Sequence, residues 1–160
     1  RFEIVNAHSR LEAGLWVVDA QADLALSDDA IEALQNGVTL QLELQYEVSE
    51  AISFWPDRVV AAGRQLIELQ YLSLSQRYLV RWTDTDEQNS YATLYSALRY
   101  MGRVRDRELF AAPKDSVDNS YWAGMRVVLV RDNLPGPLQT IAFWRGDFSL
   151  ESVWYRWKLN

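Results

Sequence analysis

The sequence predicts a mainly β protein: an antiparallel β-sandwich of about seven or eight strands with two short helices, folded as one domain over residues 1–160. Three observations lead to this prediction. Apolar and polar residues alternate between Gly37 and Val48, and shorter alternating runs recur between turn-forming residues. The length of 160 residues suits a single domain with its own core. Strands of buried parallel sheets would read instead as continuous apolar runs.

The alternating run is the clearest single element. Successive side chains of a strand point to opposite faces, so this run has one dry and one wet face. The dry face comprises Val38, Leu40, Leu42, Leu44, Tyr46 and Val48, and the wet face comprises Thr39, Gln41, Glu43, Gln45 and Glu47. We therefore expect the central strand of a sheet that packs on one side. The wet face is acidic and free of aromatic residues, which makes it a poor candidate for binding.

Shorter patterns predict seven further strands. They cover residues 2–9, 16–26, 64–74, 76–83, 121–132, 138–144 and 152–159, and the segment 76–83 either pairs with the strand over 64–74 or continues it. Residues 49–63 break the alternation, because Pro56 forces Trp55 to be extended and cannot continue a ladder. Residues 84–89 and 111–119 are predicted loops, 103–108 are a mixed charge run, and 134–137 form a sharp reversal.

Capping residues and helical spacing predict the two helices. Ser27 caps the first, with Asp28 and Asp29 at the positive end of the helix dipole and Gly37 at its C-terminal end. The second is expected to start at a Ser90 cap and to end at Gly102. Its apolar residues at helical spacing are Tyr91, Leu94, Tyr95, Leu98 and Met101.

Composition restricts the partners and the chemistry. The net charge of −6 argues against a nucleic-acid partner, since a phosphate backbone needs a basic footprint. The absence of cysteine excludes thiol catalysis, disulfides and cysteine–zinc sites. No apolar run reaches the roughly 18 residues that cross a bilayer, so no transmembrane segment is expected in this chain. A start at Arg1 fits either a trimmed chain or the removal of an N-terminal signal or anchor.

The common catalytic and metal-binding motifs are missing. His8 is the only histidine and is expected on the surface or on an edge strand. The acidic loop that starts at Asp84 lacks the Gly and Glu positions of a calcium loop, so we interpret it as solvated. There is no Gly-x-Ser-x-Gly elbow, Ser-x-x-Lys motif or glycine-rich phosphate loop. The prediction is a non-enzyme without cofactor or metal; an enzyme that uses Asp84 and Asp86 with a metal is an alternative.

Aromatic residues near the end of the chain are the remaining signal for binding. Trp154, Arg156 and Lys158 share one face of the last predicted strand, and Val153, Tyr155, Trp157 and Leu159 share the other. A tryptophan between cations could bind a sugar, a lipid headgroup or a partner protein. Alternatively, arginine stems merely shield the indole ring on an outer sheet face. The turn at Trp55 is the second candidate contact surface.

The chain resembles the proteobacterial family known as domain of unknown function 4390. The resemblance rests on Leu134-Pro135-Gly136-Pro137-Leu138, Phe148-Ser149-Leu150 and Trp154-Tyr155-Arg156-Trp157-Lys158-Leu159. Gly37-Val38, Arg77-Tyr78, Leu98-Arg99 and Arg105-Asp106 agree with earlier stretches of the family, while Gly136 stands where a larger residue is often found. The resemblance implies an exported protein with an N-terminal signal or anchor, without an assigned activity, and encoded near a transmembrane sensor kinase.

These observations predict a non-enzymatic binding or interaction protein of the cell envelope. We expect it to be periplasmic or membrane-associated on the periplasmic side, with an envelope or membrane protein as partner and a link to a membrane sensor or envelope complex. The expected contact residues are Trp154, Arg156, Lys158 and Trp55. One alternative is a carrier of a small hydrophobic ligand or lipid in a cleft between the sheets. A purely structural role in a larger assembly is another.

Overall fold

The computed structural model describes residues 2–111, 120–130 and 152–159. Within these ranges the strands are β1 (Phe2–Glu12), β2 (Leu15–Leu24), β3 (Leu40–Ala51), β4 (Arg58–Leu72), β5 (Arg77–Trp82), β6 (Gln88–Tyr91), β7 (Arg103–Ala111), β8 (Ser120–Leu129) and β9 (Tyr155–Leu159). The helices are α1 (Asp28–Gln35) and α2 (Leu94–Met101). The strands form two antiparallel sheets, which confirms the predicted fold class.

The two sheets and two helices enclose one core. The smaller sheet has the order β1-β2-β7 and the larger has the order β6-β5-β4-β3-β8-β9. β1 contacts β8 and β9, and β7 contacts β3 and β4. Since three strands cannot cover six, α2 completes the second layer by contacting β5 and β6, while α1 contacts β4. The largest fully buried side chains come from both sheets and from α1: Val18, Leu34, Leu40, Leu42, Val48, Leu69, Val80, Met125 and Leu129.

The predicted central strand lies at the centre of the larger sheet. β3 pairs with β4 on one side and with β8 on the other. Leu40, Leu42, Leu44 and Val48 on its dry face are buried, as alternation predicts. The polar side chains between them are only half-buried on the opposite, outer face of the sheet.

The predicted break over residues 49–63 is too long. The strand pairing is interrupted only between Ala51 and Arg58, and a β-bulge shifts the register between Val48 and Ser49. Ser49 and Glu50 are buried beyond this bulge, and Glu50 accepts a hydrogen bond from Arg58. The alternation therefore disappears from the sequence while the backbone pairing continues.

The first predicted helix is confirmed and the start of the second is wrong. Ser27 Oγ accepts a hydrogen bond of 3.3 Å from the Ala30 amide, and Gly37 follows the C-cap with φ of +93°. Ser90, by contrast, lies in β6, which pairs with β5. The cap of α2 is Thr93, whose Oγ1 accepts a hydrogen bond of 3.1 Å from the Ser96 amide. α2 ends at Gly102, as predicted.

A further strand occupies the mixed charge run. Residues 103–111 form β7, which pairs with β2 and buries Val104 and Leu109. Seven of the eight predicted strands fall on described strands, and β6 and β7 were not predicted. The predicted strand over 138–144, the reversal at 134–137 and the loop residues 112–119 lie outside the described residues.

We predict that Gly102→Ala destabilises the fold. The carbonyl of Gly102 accepts a hydrogen bond of 2.7 Å from the Ala22 amide where α2 meets β2. A Cβ at this position would lie 2.1 Å from the Ala22 carbonyl oxygen, which is backbone and cannot rotate away. The free energy of unfolding in urea should fall by about 1–3 kcal/mol. Gln35→Ala, at an exposed helix position, is the control and should change it by less than about 0.5 kcal/mol; equal urea midpoints for the two variants would contradict the packing argument.

Candidate functional site

Two of the sequence-predicted contact residues lie together on the outer face of the larger sheet. Gly124 in β8 leaves space there: a Cβ at Gly124 would lie 3.2 Å from Trp154 Cε3 and 3.7 Å from Arg156 Cγ. Both side chains therefore lie over the Gly124 backbone. Sequence reasoning missed this glycine, since its role depends on the pairing of β8 with β9.

Trp154 is half-buried under an arginine from the neighbouring strand. The guanidinium carbon of Arg126 lies 4.8 Å from the centre of the Trp154 rings. Arg126 Nε also donates a hydrogen bond of 2.7 Å to Gln45 Oε1, which holds the guanidinium in place. This arrangement is arginine shielding of the indole ring, the predicted alternative to binding, and Arg126 of β8 supplies it.

The wet face of β3 and the tryptophan-rich end of the chain form one surface. Arg156 Nη2 lies 3.6 Å from Glu47 Oε1, so the last strand contacts the acidic residues of the central strand. A shallow depression of about 340 Å³ lies between the wet face of β3 and Trp154. Its lining includes Glu43, Arg64 and Trp154. The wet face and the tryptophan-rich end of the chain adjoin because β3, β8 and β9 are neighbours in the sheet with matching register.

Lys158 lies toward the other end of the same face, in a cross-strand row that runs to the two strands joined by the loop of Trp55. Register pairs Lys158 with Trp122, Trp122 with Ser49, and Ser49 with Val59. Ser49 is 4% exposed between its large neighbours, whereas Trp122 is 39% and Val59 53% exposed. This cross-strand row leads directly to the loop between β3 and β4, which contains Trp55.

The loop between β3 and β4 presents large apolar side chains to solvent. Phe54 is fully exposed, Trp55 is 73% exposed, and Ile52 is also exposed. Phe54 has φ of +67°, a conformation that is unfavourable for a bulky residue. The Trp55 amide donates a hydrogen bond of 3.3 Å to the Ile52 carbonyl across this turn. We name Ile52, Phe54, Trp55, Val59 and Trp122 the hairpin surface.

Ser152 fixes the position of the last strand. Its amide donates a hydrogen bond of 2.8 Å to the Val127 carbonyl, and its Oγ accepts one of 2.9 Å from the Val127 amide. The hydroxyl donates in turn to the Val153 carbonyl at 3.0 Å. Ser152 is buried, so these bonds position Trp154 two residues later.

A second candidate site is a groove between the two sheets, which we name the inter-sheet groove. It opens beside β7 and has a volume of about 610 Å³. Its lining includes Gln65, Trp82, Glu87, Tyr100, Arg103 and Arg107. Sequence reasoning missed it, because the lining comes from distant parts of the chain.

A β-bulge shapes one wall of the groove. Arg105 and Asp106 both lie opposite Asp19, and Asp106 has φ of +54°. The Asp106 amide donates a hydrogen bond of 2.8 Å to Asp19 Oδ1, and Arg10 binds the carboxylates of Asp19 and Asp106. The hydrogen bond from the Asp106 amide is the largest cause that lowers the pKa of Asp19; the charge of Arg10 adds to it and partial burial opposes it.

Aromatic and cationic side chains line the rest of the groove. Trp82 and Tyr100 make an edge-to-face contact with ring centres 6.2 Å apart. The guanidinium of Arg107 lies 5.3 Å from the centre of the Tyr46 ring, and its Nη1 lies 3.7 Å from Asp84 Oδ2. Tyr91 packs on Tyr100, and burial raises the pKa of the Tyr91 hydroxyl.

The other sequence candidates are placed as follows. His8 is exposed on the edge strand β1, as expected. Asp84 accepts hydrogen bonds from Gln65, and Asp86 accepts one from Arg81. Within residues 2–111, 120–130 and 152–159, no three acidic, histidine or cysteine side chains are grouped so that they could hold a metal ion.

The fold and these surfaces define a two-layer antiparallel β protein with an exposed aromatic hairpin and an arginine-lined groove. The family model of the domain of unknown function DUF4390 matches residues 1–158, so the chain belongs to this family. Comparison with curated proteins and with solved structures finds no match. None of the described helices is long and apolar enough to cross a membrane.

We predict that Ser152→Ala loosens the last strand. The substitution leaves the Val127 amide without its side-chain acceptor, and an unsatisfied buried amide costs about 1–3 kcal/mol. Urea unfolding should show this loss, and hydrogen exchange at the Val127 amide should accelerate. Ser75→Ala, at an exposed position between β4 and β5, is the control. Unchanged exchange at Val127 would show that Ser152 does not hold the strand.

We predict that Asp19 makes stability depend on acid pH. Its pKa in the folded state is lower than its ordinary value of 3.8, so its stabilising effect is present above about pH 4 and is lost as pH falls through the folded-state pKa. Asp19→Asn should lower the free energy of unfolding near pH 7 by about 1 kcal/mol. When the pH is lowered from about 5 to about 2, the urea midpoint of the Asp19→Asn variant should then fall less than the midpoint of the unsubstituted protein.

The control for this experiment is Asp23→Asn on the same strand, at an exposed position. It should retain the acid dependence of the unsubstituted protein. If Asp19→Asn lost as much stability on acidification as Asp23→Asn, the proposed role of the Asp106 amide and Arg10 would be wrong.

Proposed function

We propose that this protein is an exported, non-enzymatic binding protein of the cell envelope that docks a protein partner through the hairpin surface. The observation that carries the proposal is the exposure of two adjacent aromatic residues, Phe54 at 103% and Trp55 at 73%. Contiguous exposed apolar residues on a folded domain mark interaction sites. The exported location rests on the sequence resemblance, which implies an N-terminal signal or anchor.

The charges around the hairpin surface favour a protein partner over a bilayer. Arg58 is paired with Glu50 and Arg156 with Glu47, so cations and anions alternate at the rim. A net charge of −6 opposes binding to anionic lipids, which select basic clusters. An apolar, aromatic centre inside a polar rim is the anatomy of a protein–protein interface.

Lys158 and Trp122 extend the surface beyond the turn. Their register places an exposed cation beside an exposed indole, and a cation near an indole face is attracted to it. Trp154 contributes less, because Arg126 covers one of its faces. Among the sequence-predicted residues, Trp55 and Lys158 are therefore the main proposed contacts.

The alternative of a hydrophobic carrier receives less support. The buried side chains of both sheets and both helices form one cluster between the layers. The inter-sheet groove is lined by three arginines and three carboxylates, a polar environment that does not suit a lipid chain.

We predict that a photo-crosslinker at the hairpin surface captures an envelope protein in living cells. Benzoylphenylalanine in place of Val59 should give one dominant adduct in the envelope fraction of the native host, because Val59 lies beside the proposed centre. Adding Phe54→Ser and Trp55→Ser should reduce this adduct at least fivefold. Both substitutions are at exposed positions, so circular dichroism should remain unchanged.

The control uses the opposite end of β4. Leu74 is fully exposed but isolated between β4 and β5, so benzoylphenylalanine there should give no dominant adduct, and Leu74→Ser should leave the Val59 adduct unchanged. Adducts with lipid, or only with cytoplasmic proteins, would contradict the proposal. So would adducts that the two serine substitutions do not reduce.

A further inference from the structure

The inter-sheet groove has the dimensions of a small-molecule site. Its volume of about 610 Å³ lies within the roughly 300–1,000 Å³ that is usual for such sites. β7 forms one wall, and Gln65 of β4, Trp82 of β5 and Tyr100 of α2 form the other parts. The groove is thus built from both sheets, a helix and the loop between β5 and β6, which contributes Thr85 and Glu87.

Two arginines of β7 have hydrogen-bonding capacity that the described residues do not use. The side chain of Arg103 is exposed and makes neither a hydrogen bond nor an ion pair within the described part of the chain. Arg107 is half-buried. Its 3.7 Å contact with Asp84 is too long for a hydrogen bond, and its Nε has no acceptor among the described residues. A partly buried guanidinium without acceptors is unfavourable, and a ligand oxygen would relieve this.

The carboxylates that line or border the groove are mostly engaged already. Asp84 accepts two hydrogen bonds from Gln65, Glu87 accepts one from Tyr100, and Asp106 is bound by Arg10. Glu108 is exposed to solvent and has no such bond among the described residues. Arg105 donates to the backbone carbonyls of Ala20 and Val104. The unused groups of the groove are therefore mainly donors on Arg103 and Arg107.

The apolar part of the groove is a pair of flat rings. Trp82 and Tyr100 are both half-buried and line the groove together with the arginines. Tyr100 is held on its other side by Tyr91, and Asn89 Nδ2 donates a hydrogen bond of 3.3 Å to its hydroxyl. A planar group of a ligand can pack against such rings without a change in the protein.

We propose that the inter-sheet groove binds a small anionic ligand. Arg103 and Arg107 hold its carboxylate or phosphate group, and a planar apolar part of the ligand packs against Trp82 and Tyr100. Guanidinium groups bind both oxyanions with charge-assisted hydrogen bonds. This site shares no residue with the hairpin surface and does not depend on the proposed function.

The test uses fluorine NMR with the whole chain and three probes: 4-fluorobenzoate, 4-fluorophenyl phosphate and the uncharged 4-fluorobenzyl alcohol. We expect at least one anionic probe to bind at millimolar or lower concentration, and the alcohol to bind at least tenfold more weakly. The stronger of the two anions identifies the class of oxyanion. Arg103→Gln should weaken that probe about tenfold, and Trp82→Leu should weaken it as well.

Arg99→Gln on α2 is the matched control, because Arg99 lies outside the groove lining; it should leave binding unchanged. The substitutions Phe54→Ser and Trp55→Ser should also leave it unchanged, which separates this test from that of the proposed function. Arg107→Gln removes the contact with Tyr46, whose loss could unfold the chain. The proposal is therefore tested with the variants Arg103→Gln and Trp82→Leu. Equal binding of all three probes, no binding, or an Arg103→Gln variant with unchanged affinity would overturn the proposal.

Discussion

The burial of one face of β3 is the constraint on which the rest of the structure depends. Leu40 and Leu42 are completely buried while β3 is paired on both edges. A strand in this position needs a second layer above it, and in the described part of the chain the smaller sheet supplies three strands. The helices are therefore part of the core: Ala97 and Met101 of α2 and Leu34 of α1 are all buried. The opposite face of β3 is left without such a layer among the described residues.

Interactions across neighbouring strands stabilise that outer face. Gln41 donates a hydrogen bond of 3.0 Å to Glu68, which also accepts from Arg81 at 2.8 Å. Each such pair contributes little to the free energy of unfolding, because the groups are partly exposed to water. Together they occupy the polar groups of the wet face. Free capacity for binding lies instead where regular pairing ends, at the hairpin surface, and where the two sheets meet, in the inter-sheet groove.

Local patterns predicted the regular parts of this fold. Alternation identified β3, and the Ser27 cap and Gly37 identified α1, because these signals act within a few residues. β7 could not be recognised this way, since a charged edge strand has the composition of a loop. The covering of Trp154 by Arg126 depends on the register of β8 with β9, which brings together residues far apart in the sequence. Trp55 and Lys158 were predicted as contact residues, but the row that links Lys158 through Trp122 to Ser49 depends on the pairing of the sheet.

Each candidate site lies beside a β-bulge, and this explains why sequence reasoning was weakest there. At β4 the bulge lets Val59, rather than Val60, face Ser49 and Trp122, which continues the apolar row toward the turn. At β7 the bulge inserts Arg105 and Asp106 opposite Asp19, next to the groove. An inserted residue breaks the two-residue period from which a strand is recognised, and it also redirects the side chains that follow. The same irregularity thus hides the strand in the sequence and creates its exposed surface. Charged or aromatic residues beside a lost alternation are therefore where binding sites on these two sheets should be sought.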